Sequence, residues 1–123
     1  MGIDIYAMWK GQTVEEHRLQ ISDVSFATAG KLGYLREAYH GEPYATEFLC
    51  SEAFESGRAQ IPASVLRERL PRTLALVEER SRKIYKANDG EIEQVKEPFR
   101  DFVALCERKE KETGEPVLII ADF

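Results

Sequence analysis

The chain has 123 residues, 43% of them hydrophobic and 32% charged, with a net charge of −5. That length fits a single domain over residues 1–123, large enough to bury a core without staples, and the hydrophobic share excludes a disordered chain. The acidic balance excludes the usual duplex-binding protein, whose affinity comes from a basic stripe: the densest basic stretch, Arg67 to Lys86, is interleaved with Glu68, Glu78 and Glu79 and reads as a solvated helix face.

Ile3, Ile5, Ala7 and Trp9 alternate with Asp4, Tyr6, Met8 and Lys10, which predicts a half-buried strand ended by Gly11. Thr13 and Glu16 are spaced as a capping box ahead of a short helix from Val14 to about Gln20. Val24, Phe26 and Thr28 alternate again and predict a second strand. Leu32, Leu35, Arg36 and Tyr39 stand three, four and seven apart, with Gly41 after them, and predict a short helix followed by a turn. Tyr44 to Cys50 fits strand or helix equally, and Ser51 to Gln60 reads as a long loop.

Pro62 opens a helical stretch as its first residue, and Pro71 predicts a break near Leu70. Leu74, Val77, Ile84 and Tyr85 then make an apolar stripe with Ser81 in line. Asn88-Asp89-Gly90 reads as a turn. Ile92, Val95, Phe99, Phe102, Val103 and Cys106 form the cleanest amphipathic stripe of the chain, with Pro98 kinking or restarting its helix and Gly114 ending it. Val117 to Ala121 predicts a central strand covered on both faces. The sum is an α+β fold: a small sheet with helices packed on one face, in which Ile3–Trp9 and Val117–Ala121 share the sheet.

Cys50 and Cys106, the two cysteines, sit in apolar settings at no metal spacing and are expected as buried free thiols of a reducing compartment. The N-terminus has no basic region leading into an apolar core, position 6 is Tyr where a myristoylation site wants Ser or Thr, and the longest apolar run is far too short to span a bilayer. A cytoplasmic protein with no membrane partner is the expectation.

The segments Met1-Gly2-Ile3-Asp4-Ile5-Tyr6, Gly33 to Thr46, and Ile61-Pro62-Ala63-Ser64-Val65-Leu66-Arg67-Glu68-Arg69-Leu70 resemble a family of short bacterial proteins of uncharacterised activity. The resemblance covers most of the chain. It implies a bacterial, intracellular, single-domain protein and carries no catalytic residue with it.

Chemistry concentrates in Tyr34, Arg36, Glu37, Tyr39, His40 and Tyr44. An arginine fork recognises carboxylate or phosphate, a histidine exchanges protons near neutral pH, and tyrosines add rigid contact area with a hydroxyl. On a helix Arg36 and His40 would share a face. The alternative is scaffold, with Leu32, Leu35 and Tyr39 on the core and Arg36 and Glu37 solvated. With Ile3, Ile5 and Ala7 on the core, Asp4 and Tyr6 lie on the opposite strand face, which is an ordinary exposed face or lines a pocket or a subunit contact. Glu15, Glu16 and His17 point to different sides of a helix, so no metal is expected. Gly30-Lys31 lacks the Gly and the Ser/Thr of a phosphate loop, having Ser25 and Leu32 there, and no nucleophile motif occurs. The expectation is a binding module for a small anionic ligand or a protein partner, without cofactor and open to homo-oligomerisation. A hydrolase-type enzyme with His40 as acid/base and Arg36 as anion clamp is the alternative, and a partner protein with no pocket is a third.

Overall fold

The N-terminal alternation is realised as β1 (Gly2–Met8) in a computed structural model that describes residues 2–22 and 26–123. Ile3, Ile5 and Ala7 are buried while Asp4, Tyr6 and Met8 keep partial exposure, the period of a strand covered on one face. The Thr13/Glu16 box closes as expected, Glu16 N–H donating to Thr13 Oγ1 at 3.0 Å and Thr13 N–H to Glu16 Oε1 at 2.9 Å. It starts α1 (Val14–Ser22). There follow α2 (Phe26–Ala29), a 3-10 turn (Gly30–Leu32), β2 (Tyr34–Ala38), α3 (Ala45–Leu49), α4 (Ser51–Ser56), β3 (Arg58–Gln60), α5 (Ala63–Ile84), α6 (Asp89–Thr113) and β4 (Leu118–Asp122).

The strands form one antiparallel sheet in the order β2-β1-β4-β3. The two strands expected to share a sheet are direct neighbours, with Ile5 opposite Ala121 and Ala7 opposite Ile119. Their buried face meets Phe99, Phe102, Val103 and Cys106 of α6 and Leu66 and Val77 of α5 in one core. The molecule is a single α+β domain with its helices on one side of the sheet. Both cysteines are buried and unpaired, and burial pushes both thiols up.

Several expectations are corrected. Phe26–Ala29 is a helical turn and not a strand, while Val24 lies outside the described residues. Tyr34–Ala38 is a strand and not a helix: Gly33, at φ 85°, ends the 3-10 turn and redirects the chain alongside β1. Tyr44 to Cys50 resolves as helix, and the segment read as a long loop contains α4 and β3. β4 is central between β1 and β3 but covered on one face only, since Leu118 and Ile120 stay partly exposed.

Pro62 caps α5 from outside its first turn. Pro71 does not break that helix, and Pro98 does not break α6. Each proline removes one backbone hydrogen bond, but tertiary packing of an apolar face, here Leu66 and Leu70 before Pro71 and Leu76 and Val77 after it, outweighs that local loss. Asn88 is more than a turn residue: its side chain accepts from Glu91 N–H at 2.9 Å, and Glu91 returns the bond to Asn88 N–H at 3.0 Å. Among the described residues, no helix is long and apolar enough to cross a membrane.

Candidate functional site: a cleft along the edge of β2

The site begins with Gly33. A Cβ there would lie 2.9 Å from both Gln20 Nε2 and Leu105 Cδ2, and its positive φ suits only glycine well. Buried Gln20 holds this corner by donating to Ala7 O at 2.7 Å and Gly33 O at 3.0 Å. Ala7 N–H also donates to Gly33 O, at 2.8 Å. Ala7 and Gly33 are therefore a hydrogen-bonded pair, and by alternation so are Ile5 with Leu35 and Ile3 with Glu37. The backbone groups of Tyr34, Arg36 and Ala38 consequently point away from β1. Among the described residues no strand lies beyond them.

The side chains of β2 divide between the two faces of the sheet. On the open face, Tyr34 donates its hydroxyl to Asp4 Oδ1 at 2.5 Å, and Arg36 Nη1 donates to the same oxygen at 3.2 Å. Tyr34 also stacks on Tyr6 with ring centroids 5.2 Å apart. Burial, then the hydrogen bond to Asp4, pushes the Tyr34 phenol up to about 12. The Tyr34 hydroxyl, followed by the Asp4 charge, raises the Arg36 guanidinium. The Arg36 side chain remains 45% exposed beside the Tyr34 hydroxyl and Asp4 Oδ1.

Glu37 faces the helices. Its carboxylate accepts from Ala45 N–H at 3.0 Å, Thr46 N–H at 2.9 Å and Thr46 Oγ1 at 2.6 Å, which anchors the start of α3. It also pairs with Arg80 of α5, both side chains being nearly buried. Arg80 donates in addition to Gly41 O at 2.9 Å and Pro43 O at 2.6 Å, and its guanidinium lies 5.3 Å from the centroid of the Tyr44 ring. Tyr44 in turn accepts from Gly41 N–H at 3.3 Å. Glu37 and Tyr44 thus build the turn after β2.

His40 follows the strand and not a helix, so it shares no helical face with Arg36. Its ring meets the Tyr85 ring edge-on, centroids 5.0 Å apart, and its Nε2 shares a hydrogen bond with the Tyr85 hydroxyl. Tyr39 is 48% exposed and takes no part in the wall described next. His17 lies on α1, its Nδ1 hydrogen-bonded to Gln20 Oε1 at 3.0 Å. Among the described residues no three His, Cys, Asp or Glu side chains are grouped to hold a metal ion.

Between β2 and the α5–α6 pair lies a cleft of about 640 Å³. One wall is all five residues of β2 with His40. The other lining residues are Val77, Arg80 and Ser81 of α5, Tyr85 just after it, Val95, Pro98 and Phe99 of α6, and Ala29 of α2. The walls are predominantly apolar. Val95 and Tyr85 keep 43% and 57% of their surface exposed although they belong to apolar helix stripes. The structure therefore gathers Tyr34, Arg36, Glu37 and His40 at one cleft and excludes Tyr39. Tyr44 is outside its lining and packs on Arg80, which is part of it.

Sequence reasoning missed Arg80 and placed Val95 and Tyr85 on apolar stripes without assigning them to a site. A signal was present. Arg80 stands three after Val77 and four before Ile84, a charge inside an otherwise apolar stripe. Comparison with protein-family models, curated proteins and solved structures finds no match to this chain, so the chemistry of the cleft rests on its own side chains.

Proposed function

We propose that this domain is a binding module and that the cleft beside β2 is its site. The carrying observation is an open, predominantly apolar concavity of about 640 Å³ bordered by Arg36 and His40. Ligand sites are typically concave, apolar and supplied with a few polar groups, in volumes of roughly 300–1,000 Å³. The ligand has an apolar part that covers Val77, Val95 and Phe99 and an anionic group at the mouth. Arg36 suits the anion because its guanidinium stays 45% exposed while one nitrogen, Nη1, donates to Asp4. A concave site favours such a ligand over a flat protein surface.

The hydrolase alternative has weaker support. Among the described residues Glu37 is the one carboxylate on the cleft wall and is occupied by Arg80 and the first amides of α3, while His40 is hydrogen-bonded to the Tyr85 hydroxyl.

Titration with 1-anilinonaphthalene-8-sulfonate, an apolar ring system bearing one anion, tests the reading. Saturable binding at one site is expected. It should be abolished by Val95→Arg or Ser81→Trp, which fill the cleft, and weakened by Arg36→Ala. Dye binding that survives both filling variants, or no saturable binding at all, overturns the proposal.

A further inference from the structure

We infer that the occupant of the cleft is an extended peptide segment that adds to β2 as a fifth strand; this rests on the cleft being the binding site and specifies what fills it. Three observations converge. β2 is an edge strand, and the pairing of Ala7 with Gly33 directs the N–H and C=O groups of Tyr34, Arg36 and Ala38 outward. The cleft is lined by every residue of β2 in succession, so it runs along that edge and not under one face. The helices that support the sheet present Val77, Val95 and Phe99 to the cleft, where the described chain puts no strand.

A strand laid there would sit about 4.8 Å outside β2, and its side chains would alternate between the faces. Those on the helix side, in line with Leu35, would cover Val77, Val95 and Phe99. Those on the other side would flank Tyr34 and Arg36 on the open face of the sheet. The inward positions therefore call for apolar residues. The outward position beside Arg36 calls for Asp or Glu, because Asp4 faces Arg36 from β1 and leaves the guanidinium room for a second carboxylate. Main-chain bonds supply affinity in this mode and the alternate side chains supply selectivity.

The edge is not suited to a second copy of itself. Antiparallel pairing of β2 about its central residue would set Arg36 against Arg36 and Leu35 against Glu37, and like charges directly opposite are destabilising. The occupant is a different segment, of alternating apolar and polar residues with an acid among the polar ones.

A phage-displayed library of linear nonapeptides, panned on the full chain and counter-selected on Val95→Arg, supplies the probe. The expected winners alternate apolar and polar residues and include an acid. N-methylation of a winning peptide separates its two amide sets. Methylating the amides that face β2 should cost about tenfold or more in affinity, while methylating the alternate set should cost little. Bound peptide should slow hydrogen exchange at the amides of Tyr34, Arg36 and Ala38, and less at Leu35 and Glu37. Ala38→Pro, which removes an outward N–H at an exposed edge, should weaken the peptide. Insensitivity to the phase of methylation, unchanged exchange at the three outward amides, or no winner that depends on the cleft overturns strand addition. If the dye still requires the cleft, the binding site stands while strand addition fails. If the dye ignores the cleft as well, both fall.

Discussion

Glu37 on β2 and Arg80 on α5, 43 residues apart in sequence, form an ion pair with 9% and 12% of their side-chain surfaces exposed. The pair joins the edge of the sheet to the first of the two long helices. It also forms the part of the cleft wall where strand and helix meet. Its two members are not equivalent. Without Arg80, Glu37 still accepts from two amides and a hydroxyl of α3. Without Glu37, Arg80 is left as a nearly buried charge and the first amides of α3 lose their acceptor.

Urea denaturation should reveal that asymmetry. Glu37→Ala is expected to cost about 3–5 kcal/mol, the range for stranding one partner of a buried pair. Arg80→Met should cost less, since the methionine covers part of the same surface and Glu37 keeps its other donors. Equal losses, or a larger loss in Arg80→Met, would mean that the α3 anchor contributes little.

Arg36 is one residue away and should behave in the opposite way. Its bond to Asp4 is 3.2 Å long, and 45% of its side chain is exposed. Exposed pairs are worth about 0–1 kcal/mol. Arg36→Ala should therefore unfold within about 1 kcal/mol of the parent chain in urea, while losing affinity for the anionic dye. A loss of several kcal/mol would make Arg36 part of the scaffold.

Acid should weaken the fold partly through Glu52 and Arg69, which join α4 to α5. Arg69 donates to both Glu52 oxygens at 2.7 Å and also to Leu49 O at 3.0 Å. These bonds hold the Glu52 carboxyl down at about 2, below its ordinary 4.5. A depressed folded value stabilises above the unfolded pKa and is lost as the pH falls through the folded one. The contribution should thus be complete above about pH 4.5 and disappear toward pH 2. Because the Glu52 side chain is 43% exposed, solvent screening limits the effect to about 1 kcal/mol. Arg69→Met should flatten that part of the profile of melting temperature against pH. An identical profile in the variant would remove this pair as its source.

The legible parts of the fold are those where one period dominates. The alternation in β1 and the stripe on α6 each run long enough to exclude the other period, and the Thr13/Glu16 box needs only local geometry. Tyr34–Ala38 was misread because Leu32, Leu35 and Tyr39 satisfy helical spacing within a segment too short to test it. What decides there is pairing with β1, some thirty residues away, and the corner at Gly33. The two prolines misled for the same reason: a local penalty was weighed without the packing that outvotes it. The Tyr34–Tyr44 block is rich in chemistry by its composition. Its division into anchors (Glu37, Tyr44) and groups at the cleft mouth (Arg36, His40) depends on Arg80 and Tyr85, which only the fold brings near.

Gly30 links stability to the shape of the cleft. A Cβ placed on it would come within 2.1 Å of the Pro98 carbonyl oxygen and 2.8 Å of Pro98 Cα and C. Those atoms belong to the backbone of a 25-residue helix and cannot rotate aside. Gly30→Ala must push the 3-10 turn and α6 apart beside Ala29 and Pro98, two residues that line the cleft. The expected cost is about 1–3 kcal/mol, the range for overpacking a well-filled contact. The dye should bind more weakly as its walls shift. Gly90→Ala serves as the contrast. Gly90 lies in the first turn of α6, and an added Cβ would find only the Asn88 side chain, at 3.4 Å. It should be neutral or raise stability by up to about 1 kcal/mol, through the smaller freedom of the unfolded chain, and leave dye binding unchanged. If Gly30→Ala were as harmless as Gly90→Ala in both measurements, α6 would not be pressed against the 3-10 turn beside the cleft.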